Sequence, residues 1–156
     1  MSLEKQIVLL TGAYGGIGCS IAQLLIDRGA RVAISGRDYE KLKNLSNELN
    51  GEVECIKCDL EDHDSVMKLV DNASESLQEP INVLINNAGL TDDGLALRMQ
   101  KKSWQKVIDT NLTASFLLSK SALKPMMKQK WGRIINISSI VGVMGNAGQS
   151  NYAASK

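Results

Sequence analysis

The sequence predicts an α/β fold in which a parallel sheet is doubly wound, with helices on both faces. Two patterns carry that expectation. Short runs rich in Val and Ile alternate with longer amphipathic stretches along the chain, and strict alternation of β and α elements forms a parallel sheet with right-handed crossovers. A cluster of glycines stands where the first run meets the first amphipathic stretch, which is where such sheets turn from strand into helix. Composition fits one soluble globular domain over residues 1–156, with 44% apolar and 22% charged side chains. Eighteen basic against 17 acidic residues leave a net charge of +1, which gives no field suited to nucleic acid or an anionic membrane.

Residues 7–11 read as the first strand. The uncharged stretch from 7 to 26 has the length of a membrane segment, and Gly12 and Gly16 have the G-x-x-x-G spacing. However, Gly12, Gly15, Gly16 and Gly18 fall within seven positions, and each costs a helix interior about 1 kcal/mol. The stretch is therefore strand, glycine turn and helix. Residues 16–28 repeat apolar side chains at Ile17, Ile21, Leu24 and Leu25, as helices do. A strand at 31–35, a helix at 39–49, a strand at 53–58, a helix at 65–77 and a strand at 82–85 come next. The longest helical pattern runs from 103 to 130, with Trp104, Val107, Ile108, Leu112, Leu118 and Ala122 expected to face inward and Pro125 to bend the last turns. After a strand at 133–138 a further helix begins and the chain stops, so the C-terminal strands of a doubly wound fold are expected to be missing and the sequence to be truncated.

Three cysteines, Cys19, Cys55 and Cys58, suit a reducing, cytoplasmic compartment better than a disulfide framework. Cys55 and Cys58 are spaced C-x-x-C, but with no second pair and His63 as the only histidine they read as strand cysteines, and no metal is expected.

The turn Thr11-Gly12-Ala13-Tyr14-Gly15-Gly16-Ile17-Gly18 lets the backbone bend tightly and approach a pyrophosphate, whose charge meets the free amides of the helix N-terminus. With strand before it, helix after it and a second strand about twenty residues on, it indicates a Rossmann-type dinucleotide site; an ordinary glycine-rich turn is the alternative. The second strand ends Ser35-Gly36-Arg37-Asp38. An acid there takes the ribose hydroxyls of NAD, and an arginine pairs with the 2′-phosphate of NADP. Arg37 comes first after a flexible glycine while Asp38 can cap the next helix, so NADP(H) is the expected cofactor.

Tyr152 and Lys156, four apart, share one helix face. A phenol with an ordinary pKa near 10 is a poor proton donor at neutral pH, and a close ammonium favours its ionised form. Ser139, or Ser138 before it, stands just past the fifth strand, at the edge where α/β sheets hold ligands. Asn111 puts an amide on a helix face otherwise directed at the core, where it needs a partner.

The G-x-x-x-G-x-G spacing, Asp59-Leu60, Asn86-Asn87-Ala88-Gly89 and the Tyr152…Lys156 pair occur in the order in which they mark the short-chain dehydrogenase/reductase family, which the chain resembles. The resemblance implies that Asp59 and Leu60 hold an adenine ring. It adds Thr11, Gly12, Tyr14, Gly15, Gly16, Ile17, Gly18, Arg37, Asn87, Ala88, Gly89 and Tyr152 to the cofactor contacts. It selects Ser139 over Ser138 and implies that Ser139 and Tyr152 hold the substrate oxygen, that Lys156 bonds the nicotinamide ribose, and that Asn111 holds a water in a proton relay. Longer stretches, 86–99, 104–116 and 132–156, resemble bacterial 3-oxoacyl-[acyl-carrier-protein] reductases, most specifically through Asn146-Ala147-Gly148-Gln149. That implies an acyl carrier protein partner, a homo-tetramer, and a docking patch that includes Lys128, Lys130 and Arg133, for which a solvated helix end is the alternative. Gly15 departs from the basic residue many relatives carry in this turn. Reduction of another carbonyl, or a noncatalytic dinucleotide-binding module, are the competing readings; the 156 residues alone are expected to be inactive.

Overall fold

The computed structural model describes residues 2–49 and 51–156. Strands β1 (Ile7–Thr11), β2 (Arg31–Gly36), β3 (Val53–Lys57), β4 (Val83–Asn86) and β5 (Arg133–Asn136) form one parallel sheet in the order β3-β2-β1-β4-β5. In register, Val8 stands between Val32 and Val83. The chain moves outward one way from β1 to β3 and then returns to the far side of β1 as β4. This reversal opens a crevice at the carboxyl ends of β1 and β4.

Each strand supplies both faces. Val8, Leu10, Val32 and Ile34 pack with Ala22 of α1 (Gly16–Asp27) and with Leu42 and Leu45 of α2 (Tyr39–Glu48). Ile7, Leu9 and Leu84 pack with Val66, Leu69, Val70 and Ala73 of α3 (His63–Ser76) and with Leu118 and Ala122 of α5 (Ala114–Gln129). Burial on both faces explains why β1 is apolar from Ile7 to Leu10 rather than alternating. Cys55 lies in β3 and Cys58 just past its end, not within the strand expected over 53–58, and the two divide between these layers. Cys55 Sγ reaches the Leu42 carbonyl on one side, and Cys58 is buried beside Ser65 on the other, where burial raises its pKa.

Two helices begin on aspartate caps. Asp38 accepts the N–H of Lys41 (3.2 Å), and Asp62 accepts those of Asp64 and Ser65 (3.0 and 3.3 Å). The second cap starts α3 at His63, ahead of the expected 65, because its first turn is polar and leaves no apolar signal.

The helix expected as one piece over 103–130 is interrupted. Helix α4 (Lys101–Ile108) runs into a π turn, Asp109–Thr113, before α5 begins. The wide turn inserts a residue and rotates the helix beyond it. Beyond the turn the buried positions are Ala114, Leu118, Ala122 and Met126, while Trp104 and Leu112 are 38% and 48% exposed and Ile108 is half-buried. The buried members of the turn are Thr110 and Asn111. Pro125 lies inside α5, which closes on Lys130 with φ +53°. A 3₁₀ turn, Ala96–Arg98, and the short helices α6 (Val141–Met144) and α7 (Ser150–Ser155) complete the described elements. No helix among the described residues is long and apolar enough to cross a membrane.

Candidate active site

The glycine turn is held against β4 by two polar side chains. Thr11 Oγ1 accepts the N–H groups of Asn87 and Ala88 (3.1 Å each), and Asn87 Nδ2 donates to the carbonyls of Thr11 and Gly12 (3.1 and 3.0 Å). Gly12 has φ +65°, and a Cβ there would stand 2.7 Å from Ala88 Cα, so both conformation and space exclude a side chain. Gly15, at the N-cap of α1, makes no side-chain cap, and the first turn holds no acid. The amides of that turn are thus left to attract an anion.

A cleft of ≈ 340 Å³ extends from this turn along the carboxyl ends of the strands. Each residue from Thr11 to Gly89 that the sequence assigns to the cofactor lines it. So do Ser35, Gly36, Cys58, Leu90 and Thr110, which sequence reasoning missed. Thr110, next to Asn111 in the π turn, could have been found had the wider turn been anticipated.

At the second strand's end the structure differs from expectation. Gly36 is the last residue of β2, in register with Lys57, and is no hinge. Its missing Cβ makes room for the Tyr14 ring, which packs where a side chain would stand. Arg37 is exposed, its guanidinium 3.7 Å from the Glu61 carboxylate. Asp38 is occupied as the α2 cap, with its other oxygen 3.8 Å from Lys41 Nζ.

A second cleft of ≈ 290 Å³ shares Ile17, Asn87, Gly89 and Leu90 with the first and adds Tyr152 and Lys156. Lys156 Nζ donates to the Ile137 carbonyl (2.9 Å) and lies 6.0 Å from the centre of the Tyr152 ring. Burial lowers its pKa, bringing the ammonium nearer to releasing a proton. Asn111 is fully partnered. Its Oδ1 accepts the Leu90 N–H, and its Nδ2 donates to the Leu90 carbonyl and to Ser155 Oγ, all at 2.9 Å. Gly89 lets these groups approach, since a Cβ there would stand 3.2 Å from Lys156 Nζ and 3.5 Å from Asn111 Oδ1. Ser139 Oγ accepts the Val141 N–H (3.2 Å) and lies outside the second cleft's lining; Ser138, which lines it, donates to the Lys156 carbonyl (2.7 Å).

The two overlapping clefts join an anion-attracting helix end to a phenol and a half-buried amine, with the tethered amide of Asn111 close to Gly89. A family model described as short chain dehydrogenase matches residues 6–156. Over all 156 residues the chain is 48% identical to a 3-oxoacyl-[acyl-carrier-protein] reductase of Rickettsia felis and 43% identical to one of Salmonella typhimurium, covering 63% and 64% of those proteins. It is 47% identical over 154 residues to nodulation protein G of a Rhizobium species, covering 99% of this chain and 62% of that protein. The chain thus spans about 63% of the length of the relatives it matches.

Proposed function

The chain belongs to the short-chain dehydrogenase family, and from that premise we propose that the protein carrying it is an NADP-dependent oxidoreductase. In this reading it reduces 3-oxoacyl groups on acyl carrier protein to 3-hydroxyacyl groups in fatty acid biosynthesis, as a cytoplasmic homo-tetramer. The observation that carries the proposal is the meeting of Tyr152, Lys156 and Asn111 around Gly89 at the end of a cleft that begins on an uncapped helix N-terminus.

The residues present fit a nicotinamide dinucleotide. The amides of Gly16, Ile17 and Gly18 would hold its pyrophosphate, Asp59, Leu60 and Ala88 its adenosine half, and Arg37 the 2′-phosphate, with Asp38 already spent on the α2 cap. When bound, the nicotinamide supplies the hydride. Ser139, which uses its oxygen to accept the Val141 N–H, keeps a hydroxyl hydrogen to orient the substrate oxygen. Tyr152 donates the proton to that oxygen. Lys156 holds the positive charge beside the phenol, and its lowered pKa suits it to passing a proton onward. Asn111 fixes the wide turn behind Lys156 through Leu90 and Ser155.

Lys128, Lys130 and Arg133 stand at the amino end of β5, the opposite edge from Ser139, and Arg133 stacks on Trp131. The thioester is therefore assigned to the cleft without reliance on that patch for carrier docking. In the whole protein, a 3-oxoacyl thioester should accelerate NADPH oxidation many-fold over the thioester-free rate. An equal rate with and without it would remove the substrate, and brisk turnover on an unrelated ketone alone would favour a reductase of another carbonyl.

A further inference from the structure

Asn151 is fully buried although it carries an amide. Such a group is costly unless its donors and acceptor are paired, and here they are. Its Oδ1 accepts the N–H of Tyr152 (2.8 Å), while its Nδ2 donates to the carbonyls of Asp92 (2.8 Å) and Ser103 (3.4 Å). One side chain thus joins the start of α7, the loop after β4 and the first turn of α4.

Helix α7 depends on this link. Gln149 occupies its N-cap position but gives no side-chain cap. Its amide points to the Asp93 carboxylate instead, at 3.0 and 3.2 Å. The cap on the Tyr152 amide therefore falls to Asn151. A backbone bond from Gly94 N–H to the Gly148 carbonyl (2.8 Å) runs between the same two segments. At the other end of that loop, both backbone groups of Leu90 are held by Asn111. Residues 90–94 are consequently a splint, with Asn111 tied to one end and Tyr152 to the other.

We propose that Asn151 is a positioning residue: it sets where Tyr152 stands relative to Lys156 and Asn111 by locking the start of α7 to the loop after β4. It lines neither cleft, so it acts through Tyr152 and not on substrate or cofactor. This role rests on Tyr152 being the proton donor.

The test is made in the whole protein, with active molecules counted by NADPH titration. For Asn151→Ala, kcat per cofactor-binding molecule should fall about 10- to 100-fold, the range that misplacement of a reacting group produces. The Kd for NADPH and the KM for a 3-oxoacyl thioester should stay within about threefold. Asn151→Asp keeps the acceptor for Tyr152 but turns a second oxygen towards two carbonyls. Its rate relative to the unaltered protein should rise at least about threefold from pH 8 to pH 6, as protonation restores one donor. Asp93→Ala breaks the exposed Gln149 link without opening a cavity and should give a smaller kcat loss of the same kind. Unchanged kcat per binding molecule in Asn151→Ala and Asp93→Ala, with losses explained by unfolded protein, would overturn the inference. Absence of thioester-dependent turnover in the unaltered protein would overturn the assignment of Tyr152 itself, and this inference with it.

Discussion

Position 36 shows how one missing side chain can set the chemistry of its neighbours. With no Cβ there, the Tyr14 ring settles onto the end of β2, and Lys41 Nζ lies 5.8 Å from the centre of that ring. Asp38, which would otherwise compete for ribose hydroxyls, is turned into α2 as its cap. Arg37 remains as the exposed cation at the strand end, with only a loose 3.7 Å contact to Glu61. A charge-assisted bond to phosphate contributes about 1.5–3 kcal/mol, so Arg37→Ala should weaken NADPH binding about 10- to 100-fold and NADH binding far less, as read by titration of the two reduced cofactors. Equal losses would refute the pairing. The contrast between Arg37 and Asp38 was legible in sequence because an aspartate before a helical pattern is a local cap signal. The role of Gly36 was not legible, since it depends on contact with Tyr14, 22 positions away in the chain.

Among the elements, the strands were the most legible and the long helix the least. Runs such as Val8 to Leu10 are buried on both faces, and no partner is needed to recognise them. The helical pattern misled at Trp104, Ile108 and Leu112, which the structure leaves exposed or half-buried around the π turn at Asp109–Thr113, while Val107, Leu118 and Ala122 face the core as expected. Asn111 was the clue, a polar residue on the face expected to be core; the structure pairs it with Leu90 and Ser155 inside the wide turn. The difference in burial along this stretch can be measured. Leu118 is 1% exposed, and Leu118→Ala should cost about 2–5 kcal/mol. Leu112 is 48% exposed, so Leu112→Ala should change stability by less than about 0.5 kcal/mol. Denaturant melts of the two variants check both, and comparable losses would contradict the burial that the structure gives the two positions.

For the molecule as a whole, burial is uneven across the sheet. The central strand β1 is buried throughout, whereas on β5 Ile135 is 44% exposed, and Phe116 and Met127 on α5 are 64% and 74% exposed. The first cleft lies where the strand order reverses, beside the fully buried β1, while the second cleft reaches the residues that follow the more exposed β5. The choice of Ser139 was legible only through resemblance, because spacing alone left Ser138 and Ser139 equal, whereas the spacing of Tyr152 and Lys156 put them on one helix face. Their hydrogen bonds still divide the two: Ser138 donates to the Lys156 carbonyl, and Ser139 accepts from Val141.

In the proposed reaction the phenol at position 152 delivers a proton at the end of the cofactor cleft. Tyr152→Phe in the whole protein removes one oxygen and leaves the ring. Thioester-dependent NADPH oxidation should then fall by at least about 10²-fold, the scale of a lost general acid, while the Kd for NADPH stays within a few-fold of the unaltered protein. Retention of most of the turnover by that variant would contradict the role given to Tyr152.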